Sequence, residues 1–323
     1  MVSISMPLVY AFITSLVLTV IFGKLAIPML KRLHAQQSIR EEGPESHKKK
    51  SGTPTMGGLF LLLGMTITVL VYAPWSVTMW ILLFLTLGHA LLGFSDDFIK
   101  AVKKRNLGLT AKQKLLGQFI MSAIFCYIAT EIVTLPTSVW VPFTNYSVDL
   151  GWFYYVLVFF VIVGTTNAVN LTDGLDGLAG GCSAVVAVTY ASIGILAGVS
   201  AVSYVAIALC GACLGFLFYN MNPAKVFMGD TGSLAIGGAF SGMAIMTKSE
   251  LLLVIVGLVF VMEALSVIIQ VVSFKTRGVR VFKMSPIHHH FELSGWSERK
   301  VVFVFWLATV ICSVVGLFIY ILK

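Results

Sequence analysis

The chain has 323 residues, 58% of them hydrophobic and only 11% charged, with a formal net charge of +8. A soluble domain carries about a quarter charged residues, so the composition excludes a water-soluble globular fold and implies an integral membrane protein. The basic residues sit in short segments between apolar runs, so the positive charge reads as a topology signal and a contact for anionic lipid or substrate, not as a nucleic-acid surface.

Runs of about 17–25 apolar residues mark membrane helices. Ten are found, near 6–30, 55–73, 76–95, 114–134, 152–169, 176–197, 200–219, 232–247, 251–274 and 300–322. They predict an all-α polytopic membrane protein in which residues 1–323 form a single domain. The first run, opening MVSISMPLVY, has no basic flank or cleavage pattern and reads as a retained helix, not a signal peptide. The ninth is long enough to tilt or break. Segment 137–150, SVWVPFTNYSVDLG, alternates apolar and polar residues and predicts a small hairpin on the outer face. All five cysteines lie inside apolar runs. The C-x-x-C of Cys210 and Cys213 is embedded in AIALCGACLGFLF, which suits helix packing better than zinc or redox chemistry.

Lysine and arginine set the orientation. Loop 31–50 carries Lys31, Arg32, Arg40, Lys48, Lys49 and Lys50; loop 96–114 carries Lys100, Lys103, Lys104, Arg105, Lys112 and Lys114; loop 275–299 carries Lys275, Arg277, Arg280, Lys283 and Arg299. The alternate connections carry none, apart from Lys248 in 247–250. The basic loops are therefore expected in the cytoplasm and both termini outside.

Five of the six aspartates, Asp96, Asp97, Asp173, Asp176 and Asp230, fall at the run ends that carry the basic loops. Acids near lipid are costly and usually kept for a task. Carboxylates beside lysines and glycines suggest a divalent metal and a phosphorylated substrate. Four stretches carry this chemistry. In SHKKKSGTPTMGG (46–58) the lysines alone suit an ordinary positive-inside flank. Topology does not require the following Gly52-Thr53-Pro54-Thr55, which offers flexible backbone and hydroxyls to a diphosphate. In SDDFIKAVKKRN (95–106), expected at the end of the third helix, neighbouring residues diverge by about 100°. Asp96 and Asp97 can then share a face only where the helix stops; one would face a metal or nucleophile and the other a lysine.

In TTNAVNLTDGLDGLAGG (165–181), Asp173 and Asp176 are spaced i, i+3, on one side of an expected first helical turn. Asn167 and Asn170 add amides, and the loop has no lysine or arginine, which reads as a site and not a spacer. An EF-hand would need a 12-residue ligand pattern that is absent. In YNMNPAKVFMGDTGSLAIGG (219–238), Asp230 precedes an apolar helix, where it either caps the helix or holds magnesium beside a bound phosphate. Phe227 either packs or stacks on a nucleobase.

SDDFIK, NAVNLTDGLDGLAGG, FMGDTGS and KKKSGTPTMGG together closely resemble the polyprenyl-phosphate hexosamine-1-phosphate transferases, and the likeness spans the whole chain. The further loop KMSPIHHHFELSGWSE (283–298) is similar to that of the bacterial branch handling phospho-MurNAc-pentapeptide. The resemblance implies transfer of that group from UDP-MurNAc-pentapeptide to undecaprenyl phosphate, giving lipid I and UMP. The setting would be the bacterial cytoplasmic membrane, with Mg2+ as cofactor, membrane lipid around a homodimer, and no nucleic acid. It implies Mg2+ on Asp230 and Asp97, with Asp96, Asp97, Asp230 and His289 as catalytic residues. The implied substrate contacts are Lys50, Thr55, Lys100, Lys112, Asn167, Asn170, Asp173, Asp176, Asn220, Phe227, Gln270, His288 and His290. Direct attack by the acceptor phosphate is the favoured route, a covalent aspartyl intermediate the alternative. A sister transferase using UDP-GlcNAc would share three motifs and differ at the histidines. An ion-coupled transporter would instead rely on midplane groups, for which Lys24, His89 and Glu263 are the scattered candidates. The resemblance leaves Glu263 without a role.

Overall fold

The computed structural model describes residues 6–32, 52–103 and 107–323. Lys50 and its neighbouring lysines lie outside the described residues. In chain order the helices are α1 (Met6–Arg32), α2 (Gly58–Tyr72), α3 (Val77–Lys103) and α4 (Ala111–Tyr127), the last continued by a wide turn over Ile128–Ile132. Strands β1 (Ser138–Trp140) and β2 (Ser147–Asp149) follow, then α5 (Phe153–Thr172), α6 (Leu178–Leu196), α7 (Ser200–Asn220) and α8 (Gly229–Met246). Helices α9 (Leu252–Val256), α10 (Leu258–Arg277), α11 (Ile287–Glu292) and α12 (Glu298–Ile321) complete the chain.

Each of the ten apolar runs is helical, and among the described residues eight helices are long and apolar enough to cross a membrane: α1, α3, α4 with its wide turn, α5, α6, α7, α10 and α12. The other two expected spans are special cases. Helix α2 has only 15 residues, and α8 is rich in Gly, Ala and Ser. Every residue of α8 from Thr231 to Met246 is buried, so it sees protein on all sides instead of lipid. The ninth run breaks at Gly257, between α9 and α10. The expected hairpin forms as its alternation predicts, with Val139 opposite Val148 in an antiparallel pair.

Small residues bring α8 into contact with its neighbours, as is usual where helices associate without a hydrophobic driving force. A Cβ on Gly93 of α3 would overlap the carbonyl of Asp230, so those two backbones touch. Helix α8 packs chiefly on α3 and α5, while α1 and α6 flank α7. At the periphery, Ile13, Val17, Ile21 and Leu25 of α1 form an exposed apolar stripe with the spacing of a lipid-facing helix. The isolated Lys248 is accounted for by pairing: its Nζ lies 3.0 Å from Glu250 and donates to the Tyr154 hydroxyl at 2.7 Å, at the end of the molecule opposite the aspartates.

Candidate active site

Helix α3 does not stop at its aspartates. It runs through Lys103, two turns beyond its apolar part, so the expected helix end at residue 95 is corrected and the acids lie inside a helix. The last turn carries Lys100 and Lys103, which complement the helix dipole that acids at the end would have opposed. Asp96 and Asp97 nonetheless meet in one place, because different partners reach the two directions they point. Both are buried.

Asp97 turns to the start of α8. Its carboxylate accepts from the backbone N–H of Asp230 at 3.2 Å, the N–H of Thr231 at 2.9 Å and the Thr231 hydroxyl at 2.7 Å. A helix leaves its first N–H groups without internal partners. Here a carboxylate from another helix fills that role, so Asp230 is not the cap of its own helix. Asp96 turns to the segment before α4, accepting from the Leu109 N–H at 2.7 Å. Its oxygens also pair with Lys100 at 2.6 Å and Lys114 at 3.2 Å. Asp230 closes the group: Oδ2 meets Lys114 at 2.6 Å and Lys100 at 3.3 Å, and Oδ1 accepts from the Asn170 amide at 2.9 Å. Asn170 also donates to Ser233 at 2.8 Å.

One ligand oxygen from each of Asp96, Asp97 and Asp230 falls within 4.8 Å of the others, a grouping that could hold a metal ion. The donors are all carboxylate oxygens, the chemistry of a hard divalent cation. Thr55 is buried beside this cluster; a Cβ on Gly229, which has φ +75°, would press on its hydroxyl and on Asp97. Segment 54–58 lies along 227–228, with the Phe227 N–H donating to Pro54 O at 2.8 Å and the Gly57 N–H to Phe227 O at 2.8 Å. Phe227 itself is half-buried.

Asp173 and Asp176 do not share a helical turn. Asp173 ends α5, and α6 starts only at Leu178, after Gly177 takes a left-handed φ of +81°. Asp173 faces the cluster. Removal from water, and then the negative charges of Asp230 and Asp97, push its carboxyl well above the usual range. Asp176 turns the other way, accepting from the Ala224 N–H at 3.0 Å and the Asn222 amide at 3.2 Å, while its own N–H donates to Glu298 at 2.8 Å. Asn222 donates to Glu298 as well, at 3.0 Å, so the α5–α6, α7–α8 and α11–α12 connections are tied into one rim.

Several expected contacts are committed within the protein. The Asn220 amide accepts from Gly177 N–H and donates to Val226 O, both at 2.9 Å, which fixes the rim loops from beneath. Gln270 accepts from the Val281 and Phe282 N–H groups and donates to Phe282 O at 2.9 Å, holding the approach to α11. Asn167 faces Gln118 of α4 at 3.3 Å, away from the acids. Lys112 is exposed, and it is Lys114, two residues on, that enters the cluster. The three histidines take different hydrogen-bond partners, although the His288 and His289 rings pack with centroids 4.1 Å apart. His288 is buried with Nδ1 on Glu263 at 3.0 Å, His289 pairs with Glu292 at 2.9 Å, and His290 accepts from the Lys283 N–H at 3.2 Å. Glu263 is thus the partner of His288 and not an isolated midplane acid. Lys114, Thr231, Ser233 and Glu298 are not singled out by the sequence, and Glu263 only as an unpaired acid, since the role of each is defined by a partner distant in the chain.

Residues 79–248 match the model of glycosyl transferase family 4, and residues 50–62 match signature 1 of phospho-N-acetylmuramoyl-pentapeptide-transferase. Proteins bearing that same name are 52% identical in Bacillus subtilis (strain 168) and 53% identical in Halalkalibacterium halodurans, each over 316 residues and 97% of both chains. The counterpart in Anoxybacillus flavithermus is 54% identical over 307 residues, 94% of each chain. Identity of this extent, on a multi-pass helical body with the acidic cluster between its helix ends, shows that the chain belongs to the phospho-N-acetylmuramoyl-pentapeptide-transferase family of the bacterial inner membrane.

Proposed function

We propose that this protein transfers phospho-MurNAc-pentapeptide from UDP-MurNAc-pentapeptide to undecaprenyl phosphate, releasing UMP and forming lipid I for peptidoglycan synthesis. The observation that carries this reading is the meeting of three aspartates and two lysines at the ends of α3, α4 and α8, beneath a rim of aspartate, asparagine and histidine loops. In the reaction an oxygen of the acceptor phosphate bonds to the sugar-bearing phosphorus. The bridging P–O bond breaks, and its electron pair leaves on UMP. The acceptor phosphate is already ionised near neutral pH, so the protein need only align the groups and neutralise their charge.

The carboxylate-only donor set fits Mg2+, which Asp230 and Asp97, assisted by Asp96, would hold, and which would supply Lewis-acid polarisation of the phosphoryl oxygens. Lys100 and Lys114 balance the acids and sit within reach of phosphate oxygens at the same level. Asn170 orients Asp230, and Thr55 packs beside Asp97. Asp173 and Phe227 face the nucleotide, with Asp176 and Asn220 shaping the rim that receives it. Lys50 is assigned to the diphosphate by its motif. Gln270 holds the segment leading to His288, His289 and His290, which close on the sugar-phosphate side. Both oxygens of Asp97 accept hydrogen bonds from the start of α8, which lowers their nucleophilicity and favours direct attack over an aspartyl-phosphate, while Oδ1, with a single bond at 3.2 Å, keeps a lone pair for a metal ion. The basic loops put this face in the cytoplasm, and the protein acts as a homodimer.

UMP release from purified protein with undecaprenyl phosphate tests the assignment. Turnover is expected with UDP-MurNAc-pentapeptide, to be abolished by chelator and restored by Mg2+, and to be poor with UDP-GlcNAc. Efficient transfer from UDP-GlcNAc with the muramoyl donor inert would overturn the substrate. Full turnover without a divalent ion would overturn the metal.

A further inference from the structure

Helix α10 is apolar, yet at Glu263 it buries a carboxylate with no measurable exposure. Both its oxygens lie 3.0 Å from Nδ1 of His288, the first histidine of α11. No lysine or arginine is recorded in contact with that carboxylate among the described residues. An ionised Glu263 only accepts hydrogen bonds, so against a neutral imidazole it places the proton on Nδ1 and fixes both tautomer and ring orientation. Nε2 is then directed away from Glu263 and toward the aspartate loop. It is buried, lacks a hydrogen-bond partner, and lies so close to Gly174 that a Cβ there would overlap it. Gly174 stands next to Asp173, the residue that faces the acidic cluster. A buried polar atom without a partner costs free energy unless a ligand or water satisfies it, and this one stands in the rim that the nucleotide-sugar reaches.

We infer that Glu263 is a positioning residue: it holds His288 so that Nε2 accepts a hydrogen bond from a hydroxyl or amide N–H of the nucleotide-sugar donor as the donor settles against the Asp173–Gly174 turn. This rests on the proposed transferase reading. The design explains why an acid is kept in a membrane helix, where it would otherwise be expensive. It also explains why the loop residue facing the ring is glycine: any side chain would fill the gap in front of Nε2. Helix α10 and the donor loop are thereby coupled through a single imidazole.

The test uses the full-length protein in detergent. Glu263→Met removes the acceptor at similar volume, and Glu263→Gln keeps an oxygen facing Nδ1. Glu263→Met is expected to raise KM for the nucleotide-sugar donor at least tenfold, to leave KM for the lipid phosphate unchanged, and to be rescued to within about threefold by Gln. In a His288→Ala background, Glu263→Met should add nothing further, because its effect passes through the ring. Additive losses, or equal loss of affinity for both substrates, would overturn the positioning role in favour of a purely structural one. Ring-15N histidine spectra test the pairing without any substrate. The wild type should show His288 protonated at Nδ1 and bare at Nε2, and the opposite tautomer would overturn the inference. A protein that shows this tautomer but does not release UMP from any donor would refute the transferase reading and leave the pairing intact.

Discussion

Asp97→Asn separates the hydrogen bonds that the structure shows for this residue from its proposed part in the chemistry. The carboxylate accepts three hydrogen bonds from the first turn of α8, at 3.2, 2.9 and 2.7 Å. Asparagine can keep the two bonds from Thr231 on its one oxygen, but as neutral bonds, each weaker by roughly 1 kcal/mol than its charge-assisted counterpart. Its amide nitrogen then faces the Asp230 N–H, donor against donor, at a cost of about 1–3 kcal/mol for the orphaned group. The loss comes to about 3–5 kcal/mol, at a site whose two backbones are already in contact through Gly93. Thermal unfolding in detergent should show Tm lower by roughly 5–10 °C. UMP release should fall by at least about a hundredfold, because Asp230 is no longer held in register. Serine at position 231 should lower both quantities less than Asp97→Asn does, because it keeps the hydroxyl. If Asp97→Asn kept its full Tm and lost all chemistry, and wild-type protein mixed with donor alone released UMP and retained a phosphoryl group on Asp97, the capping argument and direct attack would both be refuted.

Further outcomes follow from the same geometry. Lys114→Met should cost at least tenfold in turnover while Lys112→Met leaves it within twofold, since only the former meets Asp230 and Asp96; equal effects in the UMP assay would remove Lys114 from the site. Asp173 has a folded pKa above its unfolded value, so its contribution to stability is full below the unfolded pKa, near 4, and is lost as pH rises through the folded one. In metal-free protein Asp173→Asn should therefore raise Tm relative to wild type at neutral pH, with the gain vanishing below about pH 4; a constant difference across that range would contradict the assignment. His289→Ala should lower turnover of the muramoyl donor at least tenfold, about 1.4 kcal/mol of transition-state stabilisation, and an unchanged kcat/KM would exclude it from the donor side.

The membrane class, the ten helical runs, the hairpin and the gathering of acids at one end are legible in the sequence because each follows from a local rule. Hydropathy marks lipid-spanning length, alternation marks a hairpin, and an acid beside a membrane must have a reason to persist. What hydropathy does not mark is where a helix stops. The apolar part of α3 ends before Asp96 while the helix continues to Lys103, because the end of a lipid-facing surface is not a backbone signal. The i, i+3 spacing of Asp173 and Asp176 misleads for a related reason: Gly177 takes a left-handed conformation, and the two acids part company before any helix begins. The choice between Lys112 and Lys114 depends on which side of α4 faces α3. Glu263 finds its partner 25 residues away. Asn220 and Gln270 are visible as polar residues in suitable places, but that their amides are used on backbone can be known only from the folded loops.

Charge balance ties the cluster to its chemistry. Taken as ionised, three carboxylates against two ammonium groups leave one net negative charge where two anionic substrates must meet. The start of α8 contributes partial positive charge, but Asp97 already consumes it. A divalent cation held by Asp230, Asp97 and Asp96, as proposed, would reverse the sign of the site, and Lys100 and Lys114 would then be available to phosphate oxygens. The location answers a second constraint. The acceptor phosphate is anchored at the membrane surface by its prenyl chain and cannot travel into the cytoplasm, and a nucleotide diphosphate cannot enter hydrocarbon. Only the level at which apolar helices give way to basic loops is open to both. There the extra turns of α3 beyond its apolar part, which carry Asp96, Asp97 and Lys100, meet the first turn of α8, so the proposed reaction centre stands on helices while the loops above it are left to recognise the donor.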